Sequence, residues 1–259
     1  MSFETVDLTI VGPALIAGLL VLATHVPLGV QVLARGIVFI DLAVAQVAGL
    51  GVIAAHLAGW EAHGIAVQAA ALSAALAAAL VLTWTETRFP EVQEALIGTM
   101  FVLAATGATL ALAGNPHGAE HLKDLLVGQI LWVTNGQLVA VAAVTALVLA
   151  LWFGAGSRLG RPGFYLLFAI SVTASVQLVG IYLVFASLIV PALAVRAYGR
   201  ARLAEGYAVG AAAYAVGLVV SAITDFPPGP TIVWVLALAA ASVFLVRIRS
   251  SRASVAGRA

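Results

Sequence analysis

The run FYLLFAISVTASVQLVGIYLVFASLIVPALAVR, residues 164–196, decides the architecture. A single membrane crossing takes roughly 20 apolar residues, so this run is too long for one span and short for two full ones. Gly180 stands near its middle, where a residue without a β-carbon tolerates a break that others resist. The run therefore predicts a tight pair of helices with a break near Gly180, the second helix short or discontinuous.

Working outward, seven more apolar runs fill the chain, at approximately 8–30, 37–58, 64–84, 93–113, 125–153, 206–224 and 230–246. Polar or Pro/Gly-rich breaks separate them at 59–63, 85–92, 114–124, 154–163, 197–205 and 225–230. Of the 259 residues, 63% are hydrophobic and only 9% are charged. A soluble domain carries about 25% charged residues, so this chain cannot cover a water-facing surface. The runs do not alternate polar and apolar as barrel strands do. The fold class that follows is an all-α integral membrane protein, a polytopic bundle of eight or nine transmembrane helices. Residues 1–246 read as a single transmembrane domain and 247–259 as a short basic cytoplasmic tail.

Orientation is read from arginine and lysine in short loops. Arg35, Arg88, Arg158, Arg161, Arg196, Arg200, Arg202, Arg247, Arg249, Arg252 and Arg258 are eleven of the twelve basic residues. If 164–196 is a hairpin, all eleven share one side and Lys123 alone takes the other. The pattern predicts nine crossings, with the N-terminus outside and the C-terminus in the cytoplasm. Met1–Asp7 carries no positive charge ahead of the first run, so that run reads as a retained helix and not a cleaved signal.

Several function classes drop out. The net charge is +1 and no Lys/Arg stretch is dense enough for a phosphate patch, so nucleic acid is not an expected partner. Zero cysteines remove disulfides, thiolate metal sites and thiol nucleophiles together. There is no GxxxxGK[ST] loop, and the chain's sole lysine is Lys123, so it is not a P-loop ATPase by itself. No HExxH or GxSxG arrangement points to an enzyme.

Charges inside a span cost roughly 2.5–3.5 kcal/mol on insertion scales and so mark candidate sites. Asp41 lies about four residues into the second run. It is either a pathway carboxylate able to meet a cation, or an interfacial residue paired with Arg35 or with a helix end. Gln46 lies deeper and is offset from Asp41 around the helix; it suits a pathway or an interhelical hydrogen bond. Ser171, Thr173, Ser175 and Gln177 alternate, which spreads them round their helix. Gln177 and Ser187 flank the proposed break, and broken helices often line substrate pathways. Imidazole and carboxylate suit zinc-like cations. His117 and His121, four apart in the loop with Glu120 and Asp124, are either a weak metal site or solvated loop residues. His25, before Pro27, reads as a kink or interface residue. His56 and His63 flank the end of the second run.

Three segments together resemble the permease subunits of bacterial ABC importers for zinc, manganese and related divalent metals. They are Leu33–Gly51, with Arg35, Phe39, Asp41 and Gln46; Gln177–Ala194, with Gly180, Ser187 and Pro191; and Asp225–Val233, with its Asp-Phe-Pro-Pro-Gly opening. Asp124–Leu131 resembles a fourth stretch, and the motifs keep family order over nearly the whole chain. The resemblance implies a permease that forms the translocation pathway in the bacterial cytoplasmic (inner) membrane. It implies a cytoplasmic ABC ATPase dimer carrying ATP and Mg, a second permease copy as a homodimer, and an extracytoplasmic solute-binding protein. No cofactor is expected on this chain. On this reading Asp41, Gln46, Gln177, Ser187 and Pro191 belong to the pathway, and Arg158 and Arg161 to the loop that meets the ATPase. Two departures stand out. Leu42 and Gln46 occupy the positions of the family's Asp and His, and the loop 154–163 is shorter than usual. The rival readings are an ion-coupled secondary transporter working without an ATPase, and an intramembrane enzyme or scaffold.

Overall fold

The computed structural model describes residues 8–60, 64–115, 118–196 and 202–256. All regular elements among them are helical: α1 (Leu8–Arg35), α2 (Ile40–Leu57), α3 (Ile65–Arg88), α4 (Gln93–Leu112), α5 (Gly118–Val127), α6 (Asn135–Ala155), α7 (Gly160–Ala194), α8 (Arg202–Thr224) and α9 (Pro228–Ala256). Single 3-10 turns at Pro90–Val92, Ile130–Trp132 and Gly156–Leu159 join some of them. Hydrocarbon offers no partner to a backbone amide, so apolar segments of this length satisfy their own hydrogen bonds as helices. Eight of these helices, all except α5, are long and apolar enough to cross a membrane.

The chain direction follows from contacts at the two ends of the bundle. At one end, Arg35 at the close of α1 meets Glu86 at the close of α3, and Arg161 at the start of α7 meets the same carboxylate. The Phe39 amide, just before α2, donates to Glu94 at the start of α4. At the opposite end, Ile10, Val11 and Leu131 line a shallow cleft with Asp225 to Pro228 of the α8–α9 connection. Gly180 belongs to this second end. A β-carbon built on it would lie 2.5 Å from the Val127 carbonyl carbon and 2.8 Å from the Gly128 Cα. A β-carbon on Gly229 would lie 2.6 Å from the Val127 oxygen. Backbones thus touch directly where α5, the middle of α7 and the start of α9 converge.

Gly180 has φ 79° and ψ 163°, a conformation essentially reserved for glycine. The chain reverses there. Residues 160–179 run from the arginine end to Gly180, and 181–194 run back. Val195 then packs near Gly206, and Tyr207 of α8 donates to the Ala23 carbonyl deep in α1. The tight helical pair expected over 164–196 is therefore present, and α7 supplies two of nine passes. Its returning limb is about 21 Å long at 1.5 Å per residue. The described residues Arg35, Arg88, Arg158, Arg161, Arg196 and Arg202 all belong to one end and Lys123 to the other.

One expectation is corrected. The run 125–153 is not one span, because α6 begins only at Asn135. Leu125 and Leu126 lie in the last turn of α5, and Ile130 is buried in a 3-10 turn. These residues are apolar because they pack under the bundle's end, against the main core and a small cluster around Ile53, not because they cross it. The break expected at 114–124 accordingly contains most of a short helix. At the other terminus, the α9 backbone stays helical beyond Val246, through Ala256.

α7 occupies the centre, with Phe164, Tyr165, Phe168, Val172, Val179, Leu183 and Leu188 all buried. α6 and α9 lie on the rim and present Val139, Leu147, Trp234 and Leu238 outward. Lipid is as apolar as leucine, so close packing and small residues hold such a bundle together. Gly18 lies against the Tyr214 ring of α8, and Gly29 against the Leu188 carbonyl, where α1 comes into backbone contact with the returning limb of α7.

Candidate functional site

α2 starts without a side-chain cap, since its N-cap residue is Phe39. Asp41 stands in its first turn, where the positive end of the helix dipole favours a carboxylate. The side chain nevertheless points into the bundle. Asp41 is 1% exposed, and neither of its oxygens has a hydrogen-bond partner. Of the two partners the interfacial alternative named, the helix end is present, since Asp41 stands in the first turn of α2, and Arg35 pairs elsewhere. Its Nη1 is 3.6 Å from Glu86 Oε1, and its guanidinium lies over the Phe164 ring, 4.2 Å from the centroid.

Gln46 is 6% exposed and about 8 Å further along α2. On α7, which packs against α2, Ser171, Thr173 and Ser175 are buried. The Ser171 and Thr173 hydroxyls and the Gln177 Nε2 lack partners. Their alternate spacing does spread them round the helix, yet most faces of this limb are covered, so Ser171, Thr173 and Ser175 are buried and Gln177 is half-buried. Asp41, Gln46 and the α7 polar residues thus lie at successive depths between the arginine end and Gly180. Buried polar groups normally find partners, so a series of unsatisfied ones in a membrane interior is a feature that calls for a ligand or water.

Ser187 and Pro191 differ from these. The Ser187 hydroxyl is 2.6 Å from the Leu183 carbonyl and 2.8 Å from the Tyr214 hydroxyl, so it is already satisfied. Tyr214 is fully buried, and this pair joins the returning limb of α7 to α8. Pro191 sits inside α7 and cannot donate to the Ser187 carbonyl four residues earlier, which loosens that turn. His25 Nδ1 lies 2.9 Å from the Val21 carbonyl and 3.1 Å from Thr24 Oγ1, a local arrangement beside the Pro27 kink. His117, His63 and the His121 side chain lie outside the described residues. Among the described residues no three His, Asp or Glu side chains gather to hold a metal ion.

The arginine end carries a second polar assembly. Glu86 Oε1 meets Arg35 Nη1 at 3.6 Å and Arg161 Nε at 3.9 Å. The Phe39 amide donates to Glu94 Oε1 at 3.2 Å. Gln93 Nε2 donates to the Leu82 carbonyl at 3.0 Å and to the Tyr165 hydroxyl at 3.3 Å. Arg158 is exposed on the adjoining 3-10 turn. Glu86 is the residue that sequence reasoning passed over. Its signal was faint, a lone acid in Thr85-Glu86-Thr87-Arg88 within a break that reads as solvated.

An all-helical bundle with eight helices long and apolar enough to cross a membrane is a polytopic membrane protein. The sequence matches the ABC 3 transport family over residues 7–160 and 156–247, and the chain belongs to that family. It is thus the permease subunit of an ATP-binding-cassette transporter and not an enzyme, a multi-pass inner-membrane protein that works with ATPase and binding-protein partners. Among curated proteins, it is 23% identical over 206 residues to an uncharacterized membrane protein of the ycf23-apcF intergenic region of Cyanophora paradoxa. That match covers 71% of this chain and 69% of the relative. Among solved structures, the fold is similar to PsaBC from Streptococcus pneumoniae in complex with Fab, with TM-score 0.69 and 22% identity over 91% of this chain and 89% of that one. It is also similar to an inward-facing ABC transporter described as metal-chelate type, with TM-score 0.67 and 16% identity over 92% and 85% of the two chains.

Proposed function

We propose that two copies of this chain form the membrane core of an importer for a divalent metal ion. A partner ATPase dimer carries ATP and Mg, and an external binding protein delivers the ion. The observation that carries the metal reading is Asp41, a carboxylate inside a span with both oxygens unpartnered. Carboxylate, amide and hydroxyl oxygens suit hard cations, so Gln46 in place of an imidazole favours a manganese-like ion over zinc. A single carboxylate with scattered neutral oxygens holds a cation weakly, which suits a pathway that must also release it. Gln46 and Gln177 serve as further stations, and Pro191 with Ser187 shapes the wall beside them. The positive-inside rule puts the arginine end in the cytoplasm and the N-terminus outside. Arg158 and Arg161 then face the ATPase.

Co-purification of the tagged chain from its own host, with mass spectrometry of the bound proteins, tests the assembly. The expected result is an ABC ATPase at one copy per permease, and ATP-dependent Mn²⁺ uptake when the complex is placed in liposomes. A chain that purifies intact without an ATPase and moves Mn²⁺ on an ion gradient alone would overturn the reading.

A further inference from the structure

Three connections meet at the arginine end, and a single side chain joins two of them. Arg35 closes α1 just ahead of the α1–α2 connection, Arg161 opens α7 just after the α6–α7 connection, and both guanidinium groups approach the same oxygen of Glu86. The two halves of this bridge are unequal. Arg35 and Glu86 have side chains 20% and 15% exposed, and Arg35 is further fixed over the Phe164 ring. Arg161 is 58% exposed and its contact is longer, at 3.9 Å. An exposed ion pair of that kind adds little to stability. The more buried contact holds Glu86 beside the turn that leads into α2. The more exposed one ties it to the connection 154–163. Gly36 (φ 72°) gives that turn its shape, and Asp41 stands two residues beyond Phe39. Displacement of the α6–α7 connection therefore acts on the start of α2, and so on the depth and direction of Asp41.

We infer that Glu86 is a positioning residue: it transmits movement of the 154–163 connection to α2 through Arg161 and Arg35, and so sets the pathway carboxylate Asp41 according to the state of the ATPase. This rests on the proposal that the connection meets the ATPase.

The natural chain contains no cysteine, so introduced cysteines are labelled without background. Spin labels are placed in two full-length double variants, Arg158→Cys with Leu238→Cys and Phe39→Cys with Leu238→Cys, each assembled with the partner ATPase. Leu238 is an outward-facing position on α9, an element remote from α2. Distances are measured with and without trapped ATP. The expected result is that both distances shift with ATP in the parent. With Glu86→Gln the Arg158 distance still shifts and the Phe39 shift is lost. ATP hydrolysed per Mn²⁺ transported then rises roughly fivefold or more, the low end of coupling between sites. Arg161→Gln gives the same pattern, and the double variant is no worse than either single one, as expected of residues acting through one contact. If both distances still shift in Glu86→Gln and in Arg161→Gln, the inference is wrong. If the Arg158 distance does not respond to ATP in the parent, the ATPase reading of the connection fails first. Should Glu86→Gln fail to assemble, Arg161→Gln alone decides, since that exposed side chain is not needed for folding.

Discussion

Replacing Asp41 with leucine removes a carboxylate whose two oxygens have no partner in the bundle and whose side chain is 1% exposed. An unsatisfied buried polar group costs about 1–3 kcal/mol. A full charge at the centre of a span costs roughly 2.5–3.5 kcal/mol, and Asp41 stands one turn from the end of α2, where the cost is smaller. Taking about 1–3 kcal/mol as the gain, and about 2–4 °C per kcal/mol for a chain of this size, Asp41→Leu raises the melting temperature by roughly 2–12 °C. Asp41→Asn keeps the shape and most of the polarity, so its gain is smaller. Both variants lower ion transport by about tenfold or more, equivalent to about 1.4 kcal/mol of lost interaction with the passing cation. The assays are thermal unfolding of the purified complex in detergent and Mn²⁺ uptake into liposomes. Increased stability together with lost transport is the signature of a group kept for function at a cost to folding. A clear drop in melting temperature for both variants would show that the carboxylate has a structural partner. Unchanged transport in both would remove it from the pathway.

Three further outcomes follow from the same geometry. Gly180→Ala places a β-carbon against the Val127–Gly128 backbone in a glycine-only conformation and destabilises by about 2–5 kcal/mol, strain and overpacking together. Gly36→Ala meets open space at φ 72° and pays only the strain, about 1–2 kcal/mol; equal losses in the melts of the two would contradict the contact argument. Tyr214→Phe removes the hydroxyl bonded to Ser187 and lowers stability by about 0.5–1.5 kcal/mol, measured by thermal unfolding, with Ser187 retaining its bond to Leu183. Single cysteines at Phe39 and Phe226, exposed at opposite ends of the bundle, separate in labelling: an impermeant maleimide reaches position 226 in intact cells and position 39 only after permeabilisation. Labelling of position 39 in intact cells would invert the orientation.

The spans were legible because hydrocarbon admits so few arrangements. Long apolar runs became helices, and Gly180 with the arginine asymmetry together pointed to nine passes. The error over 125–153 has a physical origin. Leu125, Leu126, Ile130 and Leu131 are as apolar as a span, and nothing local separates packing under the bundle's end from crossing it. Asp41 was visible because a charge inside an apolar run is expensive wherever it points. Its lack of a partner was not visible, since that depends on Arg35 turning to Glu86. Glu86 itself looked like an ordinary charge in a polar break. Only the folded chain brings residues 35, 86 and 161 to one oxygen. Ser187 illustrates the opposite case, a polar residue beside the break whose hydroxyl the fold uses internally.

The returning limb of α7 is about 21 Å long, against about 30 Å for a hydrocarbon layer. It lies inside the bundle, so the difference is met by protein: α5 and the segment after it come up against the reversal at Gly180. Gly128 and Gly180 approach there with no side chain between them, and a β-carbon on either would meet the backbone of the other. The short limb and the segment that closes it are therefore joined through a contact that admits two glycines and nothing larger.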